Sequence, residues 1–313
     1  MKGLELARQY YEAFGAEMLQ QQFPQVLPYL AIRLAGSGSE CYGYDDETSR
    51  DHDFEPAFCI FLPGEDVVDR GTAFRLERAY AKLPKEFLGL KRSRVDPVGG
   101  SRHGVIRMED FFLEKTGSPD GELCVEQWLS VPEYALLEAT NGAVFADPYG
   151  RFTAIREKLR YFPEDVRRKK LAGHLLLMGQ AGQYNYGRCI ARGETAAAQL
   201  AVFEFTQSAL HSIYLLGRRY MPYYKWSFRG LKHLGALGDL APKLEYLISS
   251  GNASGEAEEK AALMEQICAC IVRELQAQGL TQLQSAELER QAYAVNDTVA
   301  DGDLRNGHIL LGV

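Results

Sequence analysis

Apolar positions recur at helical spacing from the first residues onward. Leu4, Ala7, Tyr11, Phe14 and Met18 fall on one face, which predicts an amphipathic helix over 4–21. A short apolar run, YLAIRLAG, then breaks off in glycine and serine, the pattern of a strand followed by a tight loop. An extended pattern returns in DHDFEPAFCIFLPG, with 51–60 read as a strand, and helical periodicity resumes near 66–82. A polar loop reaches Gly99 and Gly100, and HGVIRMEDFF predicts a third strand running into a helix. From about residue 150 the character changes: 151–161, 164–191, 194–219, 226–236, 240–249 and 255–279 all carry the 3.6-residue period. Gly193, Pro222, Gly230 and SSGNASG punctuate these helices, and GHILLGV reads as a short strand or a docked tail. The expectation is an α+β protein, with a mixed-sheet N-terminal domain over 1–150 and a helical-bundle C-terminal domain over 151–313.

Composition narrows the class without changing that picture. The chain has 313 residues, 46% apolar and 25% charged, and 35 basic against 42 acidic side chains give a net charge of -7. That length suits two domains of ordinary size. No apolar stretch approaches the ~18–20 residues that span a bilayer, and Glu5 and Glu12 interrupt any signal-peptide core. The six cysteines (Cys41, Cys59, Cys124, Cys189, Cys268 and Cys270) are scattered without a CxxC pair, so reduced thiols in a cytoplasm are expected. A negative net charge argues against a dedicated double-stranded DNA binder.

The chemistry concentrates in two segments. Gly36-Ser37 closes the first strand, and Asp51-His52-Asp53 opens the next extended run. In a strand, Asp51 and Asp53 project from the same side, with Cα atoms roughly 6.5–7 Å apart. Two carboxylates that close repel each other unless a cation lies between them, and Mg²⁺ favours oxygen ligands shared with phosphates. His52 faces the other way. Glycine lets backbone approach a polyphosphate closely, and turn N–H groups with the Ser37 hydroxyl donate to anionic oxygens. The competing reading is a solvated turn, since Asp45, Asp46, Glu47 and Glu55 make the neighbourhood acidic. An EF-hand fails, because counting Asp45 as position 1 puts Arg50 at position 6 and Pro56 at position 12. GSGSE likewise does not fit a serine-hydrolase elbow.

Gly36-Ser37 with Asp51-x-Asp53 resembles the signature of the nucleotidyltransferase superfamily, the polymerase-β-like fold that includes the aminoglycoside nucleotidyltransferases. The longer pattern GSGSECYGYDDETSRDHDF, TNGAVFADPYG and RRYMPYYKW resembles the nucleotidyltransferase-like family catalogued as DUF4037, over most of residues 30–235. The resemblance implies a nucleotidyltransferase-like mixed-sheet catalytic domain followed by a helical bundle. It implies Asp51 and Asp53 as Mg²⁺ ligands and catalytic residues, and Gly36 and Ser37 as the grip on the β- and γ-phosphates. The expected activity is transfer of a nucleoside monophosphate, with ATP as donor, onto a hydroxyl acceptor (small molecule, protein or RNA), releasing pyrophosphate. Lys225 is a candidate for neutralising the triphosphate, with Arg188 as a further nucleotide-binding candidate beside Asn185, Tyr184 and Tyr186. Members of the superfamily carry a third carboxylate on a later strand; here Glu109 at the end of GVIRMED is the candidate, with Glu126 or Glu194 as substitutes. The alternative is a nucleotide-binding regulatory module on the same fold with weak or no catalysis.

Other features carry less. Lys82, Lys85, Lys91, Arg92, Arg94, Arg102 and Arg107 face only Glu86 and Asp96, a solvated loop or a basic rim for triphosphate or RNA. Arg167-Arg168-Lys169-Lys170 reads as the exposed face of a helix. Tyr220, Tyr223, Tyr224 and Trp226 form a packing cluster or an aromatic wall. His103, His174, His211 and His233 have no mutual spacing that suggests a metal site.

Overall fold

The computed structural model describes residues 1–50, 54–92 and 103–313, and the chain divides into two compact units. One comprises Met1–Gln127 with Tyr134–Arg160, the other Trp128–Glu133 with Tyr161–Val313, so the division falls ten residues beyond the expected boundary and lends a short segment to the helical unit.

The first unit opens with α1 (Gly3–Tyr10), a π-helical turn (Tyr11–Gly15) and α2 (Ala16–Gln22), the continuous helix that the spacing predicts. Gly15 is required at this turn, because a Cβ there would lie 2.5 Å from the ring of Phe58. Strand β1 (Ala31–Leu34) leads through the Gly36-Ser37 turn to the single helical turn α3 (Ser39–Tyr42). Strand β2 (Cys59–Leu62) and helix α4 (Arg70–Ala81) follow, with Asp69 capping α4 through the Thr72 amide. Next come a hairpin, β3 (Glu86–Phe87) and β4 (Leu90–Lys91), then β5 (Gly104–Arg107) and α5 (Met108–Thr116). Helix α6 (Val125–Ser130) straddles the division, α7 (Glu133–Thr140) contributes all but its first residue to this unit, and β6 (Ala143–Ala146) and α8 (Arg151–Lys158) complete it.

Four strands form one mixed sheet in the order β5-β2-β1-β6, with β1 antiparallel to both neighbours and β2 parallel to β5. The register Ala31↔Phe61 and Arg33↔Cys59 puts these four side chains on one face. Leu30, Ile32, Phe58, Ile60 and Leu62 pack on the other side with Tyr10, Leu19, Leu76 and Tyr80 as an apolar core. The opposite face is aromatic: Phe152 lies 4.6 Å from Phe61 and 4.8 Å from Phe112, and the guanidinium of Arg33 stacks 4.2 Å above it. Two sequence expectations change here. The second strand begins at Cys59 rather than residue 51, and residues 54–58 approach it in irregular conformation. Arg92, read as part of a solvated loop or rim, is buried and donates to the carbonyls of Tyr80 and Ala81.

The second unit is helical throughout its described elements. Helix α9 (Glu164–Met178) passes through a π-helical stretch (Gly179–Tyr186) into α10 (Gly187–Ala191), and α11 (Thr195–Leu216) follows. Beyond it come α12 (Tyr224–Leu231), α13 (Ala241–Ser249), α14 (Ser254–Ala277), α15 (Leu288–Asn296) and α16 (Gly302–Asn306). Helix α9 is the hub, packed against α11 and α15. The Arg167-Arg168-Lys169-Lys170 run is therefore not an exposed face: Arg167, Lys169 and Lys170 are buried. Each cation finds oxygen acceptors, as burial demands. Arg167 pairs with Glu164 at 2.6 Å; Lys169 donates to Asn296 Oδ1 (2.9 Å) and the Gly307 carbonyl (2.8 Å); Lys170 donates to the carbonyls of Leu129 and Gly312. The terminal GHILLGV segment is a docked tail of turns, with Gly312 against Leu129. Among the described residues no helix is long and apolar enough to cross a membrane.

Candidate functional site

The Gly36-Ser37 turn is built by an end-of-strand break and held from a distant part of the same unit. Gly36 has φ +123°, in the region that favours glycine, and a Cβ on it would meet open space. Its backbone is clamped on both sides by one amide side chain: the Gly36 N–H donates to Asn141 Oδ1 (3.0 Å), and Asn141 Nδ2 donates to the Gly36 carbonyl (2.8 Å). Arg33 donates to the Asn141 carbonyl, and the Gly142 N–H donates to the Cys41 carbonyl at 3.0 Å. Gly142, at φ +70°, tolerates no side chain, since a Cβ would lie 1.9 Å from the Leu34 carbonyl oxygen. The Thr140-Asn141-Gly142 segment is thus a mould for the turn. Because the Gly36 N–H is committed to Asn141, any backbone donor that this turn offers comes from the residues that follow it.

The turn borders a cleft of about 620 Å³ in the first unit. Gly36, Ser37, Gly38 and Glu40 line one side; Val105, Ile106 and Arg107 of β5 and Asp110, Phe111 and Glu114 of α5 line another, with Glu77 and His103 nearby. Ser37 is exposed while Gly36 and Gly38 are buried, so the hydroxyl stands at the mouth of the turn. Lys115, also in the lining, is 2.9 Å from Glu138, which accepts in turn from the Tyr42 hydroxyl. Burial acts to lower the Lys115 pKa, but the Glu138 hydrogen bond and charge outweigh it, so its pKa is raised and the ammonium is stabilised. Carboxylates of Glu77, Asp110 and Glu114 are hard oxygen donors of the kind Mg²⁺ takes. Among the described residues, however, no three acids converge here closely enough to share an ion.

The sequence candidates are distributed as follows. Gly36 and Ser37 line the cleft. Asp51 and Asp53 lie outside the described residues. Glu109 is not part of the lining: one carboxylate oxygen is 2.8 Å from Arg151, and the other is buried without a hydrogen-bond partner. Its neighbour Asp110 faces the cleft instead, because Glu109 and Asp110 sit about 100° apart on the first turn of α5. Glu126 and Glu194 are exposed, in α6 and before α11 respectively. Lys225 and Arg188 belong to the second unit: Lys225 lies 5.3 Å from the Trp226 ring, and Arg188 stacks on Tyr184 and donates to its hydroxyl at 2.8 Å. Tyr220 is buried in an aromatic cluster with Tyr161 and Phe162, whereas Tyr223 and Tyr224 are exposed. None of the six cysteines is in a disulfide.

Two features were not read from the sequence. Asn141 and Gly142 lie inside TNGAVFADPYG, but their contact with Gly36 spans 105 residues and has no local signal. His174 and His211, thought unrelated by spacing, are brought to a ring separation of 4.4 Å by the packing of α9 on α11.

The fold is mixed α+β, a four-stranded sheet with helices in one unit and helices alone in the described elements of the other. Residues 128–227 match the family DUF4037, described as a domain of unknown function. The match runs from the end of α6 through α7, β6, α8, α9, α10 and α11 to the first half of α12; it includes Asn141 and Gly142 and leaves the Gly36-Ser37 turn outside it. No curated protein and no solved structure matches the chain.

Proposed function

We propose that this protein is a Mg²⁺-dependent nucleotidyltransferase that moves a nucleoside monophosphate, AMP in the leading case, from a triphosphate to a hydroxyl acceptor. The observation that supports this most is the Gly36-Ser37 turn, moulded by Asn141 at the edge of a cleft of about 620 Å³. A turn with an open space above its glycine is what close approach of a phosphate chain needs. In this reading the Ser37 hydroxyl and the amides beyond Gly36 donate to the β- and γ-phosphate oxygens. Asp51 and Asp53 hold the ion, with Asp110 rather than Glu109 as the acid offered by the cleft wall. Bound there, Mg²⁺ would supply charge neutralisation at the phosphates. The acceptor oxygen attacks the α-phosphorus, the bond to the bridging oxygen of the β-phosphate breaks, and pyrophosphate departs.

The test is transfer from labelled ATP, GTP, CTP and UTP into cell extract, followed by pyrophosphate release with purified protein. Asp51→Asn and Asp53→Asn are each expected to abolish transfer while thermal unfolding stays unchanged. Undiminished pyrophosphate release by both variants refutes the reading. The pairing of Glu109 with Arg151 favours a second reading, a nucleotide-binding module without turnover. Calorimetry separates the two: tight Mg²⁺–ATP binding with no transfer to any acceptor selects the module.

A further inference from the structure

We propose that Glu133, His174 and His211 form a binding site for a divalent transition metal, zinc being the ion that two imidazoles and a carboxylate suit. One potential ligand atom from each lies within 4.8 Å of the other two, and this is the cluster of such groups among the described residues. The site is internal to the helical unit and owes nothing to the Gly36-Ser37 cleft.

Three observations carry it. His174 is 7% exposed, and its Nδ1 is buried with no hydrogen-bond partner. A ring nitrogen left so costs free energy unless something occupies it, and a cation in the cluster supplies what the protein does not. Glu133 is almost fully buried and already oriented: Oε2 accepts from the Met221 N–H at 2.8 Å, while Oε1 is 2.8 Å from His211 Nδ1. The Met221 contact lies outside the proposed ligand set and fixes the carboxylate in the way metal sites require. Finally, the His211 side chain is 18% exposed, so one member of the cluster touches solvent.

The arrangement has to adjust to close on an ion. The imidazoles lie parallel, 1° apart in plane, so their in-plane lone pairs do not converge. Seating one metal requires a turn of at least one ring about χ2 and surrender of the His211–Glu133 hydrogen bond to the ion. Lys170, one helical turn before His174, keeps its ammonium on the carbonyls of Leu129 and Gly312 and opposes a second positive charge. Three protein ligands leave a position for water, the open arrangement of a reactive rather than a purely structural zinc.

The experiment uses the full chain stripped with a chelator and titrated calorimetrically with Zn²⁺ alone, with Co²⁺ absorption as a second readout. Expected are one saturable equivalent and a cobalt spectrum without thiolate charge-transfer bands. His211→Gln and Glu133→Gln are each expected to weaken that equivalent by at least about 100-fold, more than loss of an outer-shell partner costs. Asp51→Asn and Asp53→Asn should leave it intact, so failure here and failure of the transferase reading are separable. No saturable uptake, uptake indifferent to both Gln variants, or thiolate bands in the cobalt spectrum each overturns the proposal. If the Gln variants do not fold, the wild-type stoichiometry and cobalt spectrum decide it alone.

Discussion

Removing the Asn141 side chain tests whether the Gly36-Ser37 turn is shaped from outside. Asn141→Ala deletes two hydrogen bonds to the Gly36 backbone, at 3.0 and 2.8 Å, in a partly buried setting. Each such bond contributes about 0.5–1.5 kcal/mol net, so the loss is about 1–3 kcal/mol. For a unit of this size that lowers the melting temperature by about 2–12 °C. Function should suffer beyond stability, since a turn displaced by about 1 Å misaligns whatever it grips, and a drop of about 10²-fold in kcat/KM is the expected scale. Asn141→Asp should do no better than Ala: its carboxylate still accepts from the Gly36 N–H but faces the Gly36 carbonyl oxygen with no donor. Scanning calorimetry of the full chain and Mg²⁺–ATP titration below the lowered transition are the measurements. Unfolding within ~0.5 kcal/mol of wild type, a surface-substitution-sized effect, together with unchanged nucleotide affinity, would show that the turn holds its own shape.

The helical unit yields two further predictions. Glu164 lies between Arg167, Arg168 and Arg218; burial acts to raise its pKa, but the arginine pairs outweigh that and hold it at about 2. Because the folded pKa is depressed, its stabilisation is complete above the unfolded value near 4.5 and is lost as pH falls toward 2. Glu164→Gln should therefore destabilise at neutral pH by about 1–3 kcal/mol, and its unfolding free energy should fall less steeply than wild type between pH 4.5 and 2; parallel pH profiles refute this. Lys169→Met strands Asn296 Oδ1 and the carbonyls of Arg305 and Gly307, and should cost about 3 kcal/mol or more. Limited proteolysis should then cut first beyond residue 296, and an undisturbed cleavage pattern would count against the assignment.

Element types were legible where one local rule dominates. The opening helix and the α9–α14 run announce themselves by period, and the break after YLAIRLAG by its glycines. What escaped was set by long-range pairing. Arg167, Lys169 and Lys170 look like a solvated stripe because sequence gives no sign that carbonyls at 215, 307 and 312 will reach them. Glu109 and Asp110 are adjacent and chemically alike, and only the phase of α5 turns one into the cleft and the other toward Arg151. His174 and His211 sit on different helices, so their meeting depends on a packing angle rather than a motif. At the candidate site, the break in the chain at Gly36-Ser37 was legible; the Asn141 amide that clamps Gly36 was not.

The lysine at the heart of α9 also sets a timetable for folding. Its oxygen partners come 127, 136 and 138 residues later in the chain, so α9 carries an uncompensated ammonium until α15 and α16 have been synthesised. Contacts of that sequence separation form late and slowly, because loop closure must precede them. A nascent chain halted before residue 296 would hold the segment 128–227 entire, yet leave its central helix unable to bury its own face. Such a fragment should expose apolar surface and call on chaperones, and shortening the chain there is a poorer route to an isolated helical unit than shortening it from the other side.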